Sequence, residues 1–198
     1  MSDIISKIKE NARKLGRTVV LPESSDERML KAVPVIAKER LAKIILLGEK
    51  ETILADAARA GADVSSAEIV PLSGAKLAEK LAVKLHELRK SKGMTAEQAV
   101  ETLKTPMYFA AMMVKEGLAH GYVAGAQNTT GDTLKPALQI IKTKPGIGTV
   151  SSFFVMVHTD SRSGVDGVMF FADCGLVIDP DEQQLAEIAI TSLMVIQL

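Results

Sequence analysis

Short β-branched runs separated by helix-length stretches constrain this chain more than any other feature. Thr18–Leu21 (TVVL), Lys43–Leu47 (KIILL) and Ala67–Val70 (AEIV) read as strands. Between them, apolar residues recur at helical spacing. A strand followed by a helical crossover and another strand places the two strands side by side and parallel. The expected core is therefore α/β: a parallel sheet between helices, in three layers.

Local signals place the other elements. Ile4, Ile5, Ile8, Ala12 and Leu15 mark a helix over Asp3–Leu15, with Ser2 or Asp3 as cap and Gly16 as its end. Pro22 stops the first strand. Ser24 and Ser25 are expected to cap a second helix running through Lys38, with Asp26 and Glu27 in its first turn. Gly48 opens the turn to a third helix. A periodic helix over Ala75–Ser91 ends at Gly93, and Thr95 with Gln98 has the spacing of a capping box. Pro106 suits a first helical turn, and Tyr108–Val114 reads as buried, with Met112 and Met113 as adaptable filler.

Tyr122–Ala124 returns to the sheet and runs into a small polar turn. A helix then opens near Thr133 to Pro136 and reaches Lys142. Free N–H groups of that turn, the Thr129 and Thr130 hydroxyls and Lys135 have the local chemistry of an anion site at the carboxyl end of a strand. The same residues also suit simple helix capping. Arg89 sits among Lys84, Lys90 and Lys92, which reads as a solvated face or as a ligand. Ser151 and Ser152 read as substrate-facing residues or as ordinary hinge polarity.

Pro145-Gly146 breaks the chain. Two β-rich runs, Val150–Val157 and Gly167–Ala172, flank a polar loop at Thr159–Asp166, and Pro180 opens a last helix. The change after Gly148 divides the chain into residues 1–148, a first α/β domain, and 149–198, the start of a second. The second stretch is short for an independent core. It ends on Met-Val-Ile-Gln-Leu without a cap. Two expectations stand level: a chain cut inside an unfinished domain, or a natural end docked against a partner. In the first, Val155, Met169, Phe171, Ile188 and Val195 lack their normal cover.

Composition excludes several functions. Lys+Arg and Asp+Glu both total 24, and aromatic residues make up 4% with no Trp. Neither a polyanion surface nor a base-stacking platform is expected, so no nucleic-acid partner is. Cys174 is the sole cysteine, which excludes an internal disulfide and a Cys-cluster metal site. It reads as a small buried hydrophobe rather than a nucleophile. His86, His120 and His158 lack metal-ligand spacing. No run resembles a signal peptide or a membrane span, so a cytoplasmic location is expected.

The chain resembles the amino-terminal part of phosphate acetyltransferases, in the phosphate acetyl/butyryltransferase family. The resemblance rests on Thr18–Glu23 (TVVLPE) with Asp26 and Arg28, and on Leu46-Leu47-Gly48. It continues through Glu87–Gly93 (ELRKSKG), Gly125–Lys142 (GAQNTTGDTLKPALQIIK) and Phe171–Gly175 (FADCG), in order along essentially the whole chain. It implies two α/β domains of isocitrate/isopropylmalate dehydrogenase-like architecture, an active site in the cleft between them, and a homodimer. It also implies reversible transfer of acetyl between coenzyme A and inorganic phosphate, with acetyl phosphate as product. No metal or other cofactor is implied, and coenzyme A is a substrate.

In the family, two arginines line the substrate site. The first matches Arg89; the second falls on Lys135, which keeps the charge but loses the planar fork. The resemblance also adds Thr129, Thr130, Ser151 and Ser152 as substrate-binding candidates. The family's Asp-Leu-Ser-Arg-Gly segment and its following Asp, which stabilise the transition state and supply the base, do not occur in these residues. No catalytic residue is therefore assigned. The resemblance implies an acyltransferase whose isolated chain is inactive. The competing readings are a non-catalytic phosphoryl-ligand-binding or dimerisation module, and a phosphate butyryltransferase.

Loss of transition-state donors sets the expected size of that defect. Acetyl phosphate formation by the 198-residue chain should run at least about a thousandfold below that of a relative carrying the Ser-Arg segment. Robust turnover in a coupled assay for released coenzyme A would contradict it.

Overall fold

The computed structural model describes residues 3–160 and 162–196, and the side chains of Asp3, Val195 and Ile196 are outside that description. Ser2, expected as a cap, and the Val195 side chain, expected to lack cover, lie outside the described residues. The chain divides into two compact units. One is Lys9–Lys142; the other runs from Thr143 and includes the described residues before Lys9. The division expected after Gly148 thus falls between Lys142 and Thr143. There the last helical turn closes, with Lys142 at φ 66.

In the larger unit, β1 (Thr18–Leu21), β2 (Lys43–Leu47), β3 (Glu68–Val70) and β4 (Gly121–Tyr122) form a sheet in the order β3-β2-β1-β4. All three pairings are parallel, with Val20 opposite Ile45 and Tyr122, and Leu46 opposite Ile69. Helix α1 (Asp3–Leu15) precedes the sheet, and α2 (Glu27–Glu39) and α3 (Lys50–Ala60) connect its first three strands. Then come α4 (Lys76–Arg89), a 3-10 turn (Lys90–Lys92), α5 (Ala96–Leu103) and α6 (Pro106–Lys115). After β4, α7 (Thr130–Pro136) continues into a π turn (Ala137–Ile141).

Strand alternation sends side chains to two separate cores. Val20, Ile45, Leu47 and Val70 join Leu81, Leu85, Leu103, Phe109, Met112, Met113 and Ile140 on one face. Leu21, Ile44 and Leu46 join Leu30, Val33, Ile53 and Ala57 on the other. The unit is therefore a three-layer sandwich around a parallel sheet.

Several boundaries differ from the sequence reading, each for a reason outside its own segment. Ser24 does not cap α2. Its hydroxyl donates to the Leu21 carbonyl and accepts from the Leu47 N–H, both at 2.9 Å, joining the ends of β1 and β2. Ser25 turns to Gln127 instead. The cap falls to Asp26, which accepts from the Arg28 N–H at 2.8 Å. Strand β4 is shorter than expected and starts at Gly121, because Val123 makes a last bond to the Val20 carbonyl before the chain turns. Helix α7 begins at Thr130, one turn before the expected opening at Thr133.

In the other unit, β5 (Phe153–Val157) and β6 (Val168–Ala172) pair antiparallel, Val155 opposite Phe170. Helix α8 (Glu182–Ile196) follows, and its Glu187 carboxylate accepts from the Gly148 and Thr149 N–H groups at 3.2 and 2.8 Å. Phe171 is half exposed, and Val155 and Met169 are partly covered. Ile188 corrects the expectation of missing cover: it is buried, on a helix that contacts β6. Cys174 is only half-buried, and its thiol donates to the Phe171 carbonyl.

Two phenylalanines test this division of cover. Phe109 is fully buried, whereas Phe154 is 58% exposed. Phe109→Ala should cost roughly 3–5 kcal/mol by urea unfolding, and Phe154→Ala under about 1 kcal/mol.

Candidate functional site

The sheet order dictates where a site forms. The chain steps outward from β1 to β2 to β3, then returns to the other side of β1 with β4. Strand order reverses between β1 and β4, so the loops after those two strands diverge and open a crevice at their carboxyl ends. The loop after β1 carries Glu23; the loop after β4 is the turn Gly125–Asn128.

These two loops meet through one carboxylate. Glu23 is buried, and its Oε2 accepts from the N–H groups of Gly125 and Ala126, each at 2.8 Å. Its Oε1 accepts from the N–H groups of Gln127 and Asn128 and from Asn128 Nδ2, also at 2.8 Å. Four successive N–H groups can face one point only if the chain curls tightly. Gly125, at φ 108, supplies the conformation that a side chain would resist. Burial works to raise the Glu23 pKa, but the Asn128 side chain and the N–H groups of Gln127, Ala126 and Asn128 together bring it down to about 2.

Arg28 clamps the turn from α2. Its guanidinium bonds both carboxylate oxygens of Asp26, at 3.0 and 2.8 Å, and the Ala126 carbonyl at 2.5 Å. The Arg28 guanidinium in turn holds the Asp26 carboxyl at about 2. The expectation of free N–H groups waiting for an external anion is therefore corrected. The turn already holds an anion, and it belongs to the protein.

The Thr129 hydroxyl is likewise engaged. It accepts from the Asp132 N–H at 3.2 Å and donates to the Asp132 carboxylate at 2.7 Å, capping α7. Thr130 and Lys135 are exposed on α7, and neither side chain has a hydrogen bond or ion pair among the described residues. Arg89 is the last residue of α4; it is half-buried, and its Nε is buried without a hydrogen-bond partner. Arg89 lies close enough to Tyr108 for its charge to oppose the rise that burial causes in the phenol's pKa. The Tyr108 hydroxyl donates to Gln139 at 3.0 Å, in the π turn that continues α7. Tyr108 of α6 thus lies within electrostatic reach of Arg89 and is hydrogen-bonded to the π turn that follows α7.

Ser151 and Ser152 belong to the other unit. Both are half-buried, and the Ser152 N–H donates to Asp173 at 3.4 Å. The Val177 N–H, with those of Ser152 and Leu176, keeps the Asp173 carboxyl below its ordinary range despite partial burial. No group of His, Cys, Asp and Glu able to hold a metal occurs among the described residues, and no described helix is long and apolar enough to cross a membrane. Sequence reasoning missed Glu23, Tyr108 and Gln139. The signals for Glu23 were its place directly after Pro22, at the end of an apolar strand, and its inclusion in the Thr18–Glu23 segment of the resemblance.

The profile of the phosphate acetyl/butaryl transferase family matches residues 3–198. The chain belongs to this family. It is 48% identical over 188 residues to a phosphate acetyltransferase from Acetivibrio thermocellus, covering 95% of this chain and 56% of that protein. To one from Thermoanaerobacterium thermosaccharolyticum it is 46% identical over 190 residues, covering 96% and 57%. A solved phosphotransacetylase from Streptococcus pyogenes superposes with a TM-score of 0.86 at 37% identity, over 96% of this chain and 57% of that one. Another from Staphylococcus aureus gives 0.84 at 36% identity, over 93% and 54%. The chain spans little more than half the length of these relatives.

Linkage predicts the pH behaviour. The Glu23 carboxyl titrates at about 2 when folded, against an ordinary value of 4.5. Its contribution is full above about pH 4.5 and is lost as pH falls toward about 2, a span worth about 3 kcal/mol. Glu23→Gln should start less stable and show a flatter acid limb in urea midpoints measured against pH.

Proposed function

We propose that this chain carries the phosphate-binding side of a phosphate acetyltransferase, in the reaction acetyl-CoA + phosphate = CoA + acetyl phosphate. A phosphate oxygen attacks the thioester carbonyl carbon, the C–S bond breaks, and the CoA thiolate leaves. Family membership and the acetyltransferase names of the relatives support this reading. The structural observation that supports it is that Arg89, at the end of α4, and Lys135, on α7, carry no ion pair among the described residues.

Two cations beside one phosphate offset its charge and hold it in line with the carbonyl. Positioning of that kind removes on the order of 7 kcal/mol from the barrier. Thr130 adds a free hydroxyl on the same helix as Lys135. Thr129 acts through the cap, and Ser151 and Ser152 are kept as substrate-binding residues. The residues that stabilise the carbonyl oxygen and move the proton lie in the family segment that these residues do not contain. The remaining assignments of the reading are a dehydrogenase-like two-domain architecture, a homodimer, a cytoplasmic location, and coenzyme A as substrate without a bound cofactor. Acetyl rather than butyryl is chosen because the relatives at 46–48% identity are named for acetyl transfer.

Substitution at the cations tests the reading. Inorganic phosphate binding, measured by calorimetry, should weaken about tenfold or more in Lys135→Ala and in Arg89→Ala. Lys135→Arg should match or exceed the wild type, since a guanidinium offers phosphate two parallel donors. Equal affinity in all four proteins would remove both residues from the site.

A further inference from the structure

The Glu23 interaction fixes more than a turn. Glu23 follows β1, and its partners Gly125–Asn128 follow β4. Asn128 is joined directly to Thr129, the cap of α7, and Lys135 lies in the last turn of that short helix. The far side of α7 is held as well: the Tyr122 hydroxyl donates to the Thr133 carbonyl at 2.8 Å. Arg28 grips the Ala126 carbonyl from α2 and sits within electrostatic reach of Glu23. Little of this chain of contacts can move without breaking charged hydrogen bonds.

We propose that Glu23 is a positioning residue for phosphate: its buried carboxylate fixes the Gly125–Asn128 turn, hence the start of α7 and the place of Lys135. The inference rests on the reading of Lys135 as a phosphate ligand. It also gives the turn a different role from the one its sequence suggests. With four N–H groups committed internally and a carboxylate behind them, a phosphate dianion is repelled from the turn and is directed to the exposed cation of α7.

A neutral amide cannot replace this carboxylate. Glu23→Gln keeps the shape but turns an NH2 donor toward at least two N–H donors. Phosphate binding measured by calorimetry should weaken about tenfold in Glu23→Gln. In a Lys135→Ala background the same change should cost nothing further, because the two residues act along one line. Additive losses, or wild-type affinity in Glu23→Gln, would overturn the proposal.

Two further measurements keep the outcomes apart. In Glu23→Ala, added formate should return the amide resonances of Gly125–Asn128 and of Thr130–Lys135 toward their wild-type positions. If these variants do not fold, the wild-type amides decide. The Glu23 carboxylate lies within reach of the Arg28 guanidinium of α2 and is bonded by the donors of the turn, so the four turn amides should hold their shifts down through pH 4; joint titration in the ordinary carboxylate range would overturn the proposal. A wild-type chain that fails to bind phosphate sinks the substrate reading alone. Positioning is then judged by whether Glu23→Gln shifts the Thr130–Lys135 amides, and unchanged amides would reject it.

Discussion

A buried carboxylate held by five donors is the constraint around which the larger unit is arranged. An isolated charge in a protein interior is costly, and it persists only where hydrogen bonds replace its water. Glu23 meets that condition with bonds to Gly125, Ala126, Gln127 and Asn128. These partners lie more than 100 residues away in sequence. The contact can form only when β1 and β4 are adjacent, so it reports correct sheet order as well as stabilising it. Its location follows from topology: the strand order reverses there, and the loops part to leave space that a side chain fills.

The consequences spread along covalent and hydrogen-bonded paths. Ser24, next to Glu23, ties the ends of β1 and β2. Asp26, two residues further, caps α2 and orients Arg28, which returns to the turn. The segments that carry the family resemblance near Thr18–Arg28 and Gly125–Lys142 are thus a single physical unit. One supplies the anion and its clamp; the other supplies the donors and the helix that bears Lys135.

What was legible in the sequence follows the range of the interactions. Helix α1, strands β1 and β2, the Thr95–Gln98 capping box and the Pro106 start of α6 match their local signals, because each is settled within a few residues. The start of α7, the end of β4 and the cap of α2 differ from their local signals by one to several residues. The cap of α2 shifts because Ser24 and Ser25 reach distant partners, and β4 ends where Val123 makes its last bond to Val20 on a strand far away in sequence. The residues of the turn suit an anion site, yet no periodicity reveals that its anion is internal. Family resemblance points to Arg89 and Lys135 as candidates, but the Tyr108–Gln139 bond between α6 and the π turn required the fold.

On the proposed reading, Arg89 and Lys135 act on one phosphate. Arg89 closes α4, where the helix dipole favours positive charge, and Lys135 is exposed to water, so neither needs a carboxylate partner to be tolerated. Left unpaired, both keep their full charge for a ligand. The cost is rigidity: a free guanidinium or ammonium on a mobile stem would lose entropy on binding. The Tyr108–Gln139 bond restrains the π turn that follows α7, and burial of the Arg89 Nε restrains the guanidinium. A buried donor without a partner is itself unfavourable. On the proposed reading, a phosphate that accepted from Arg89 would relieve that penalty, which favours it there over the occupied turn.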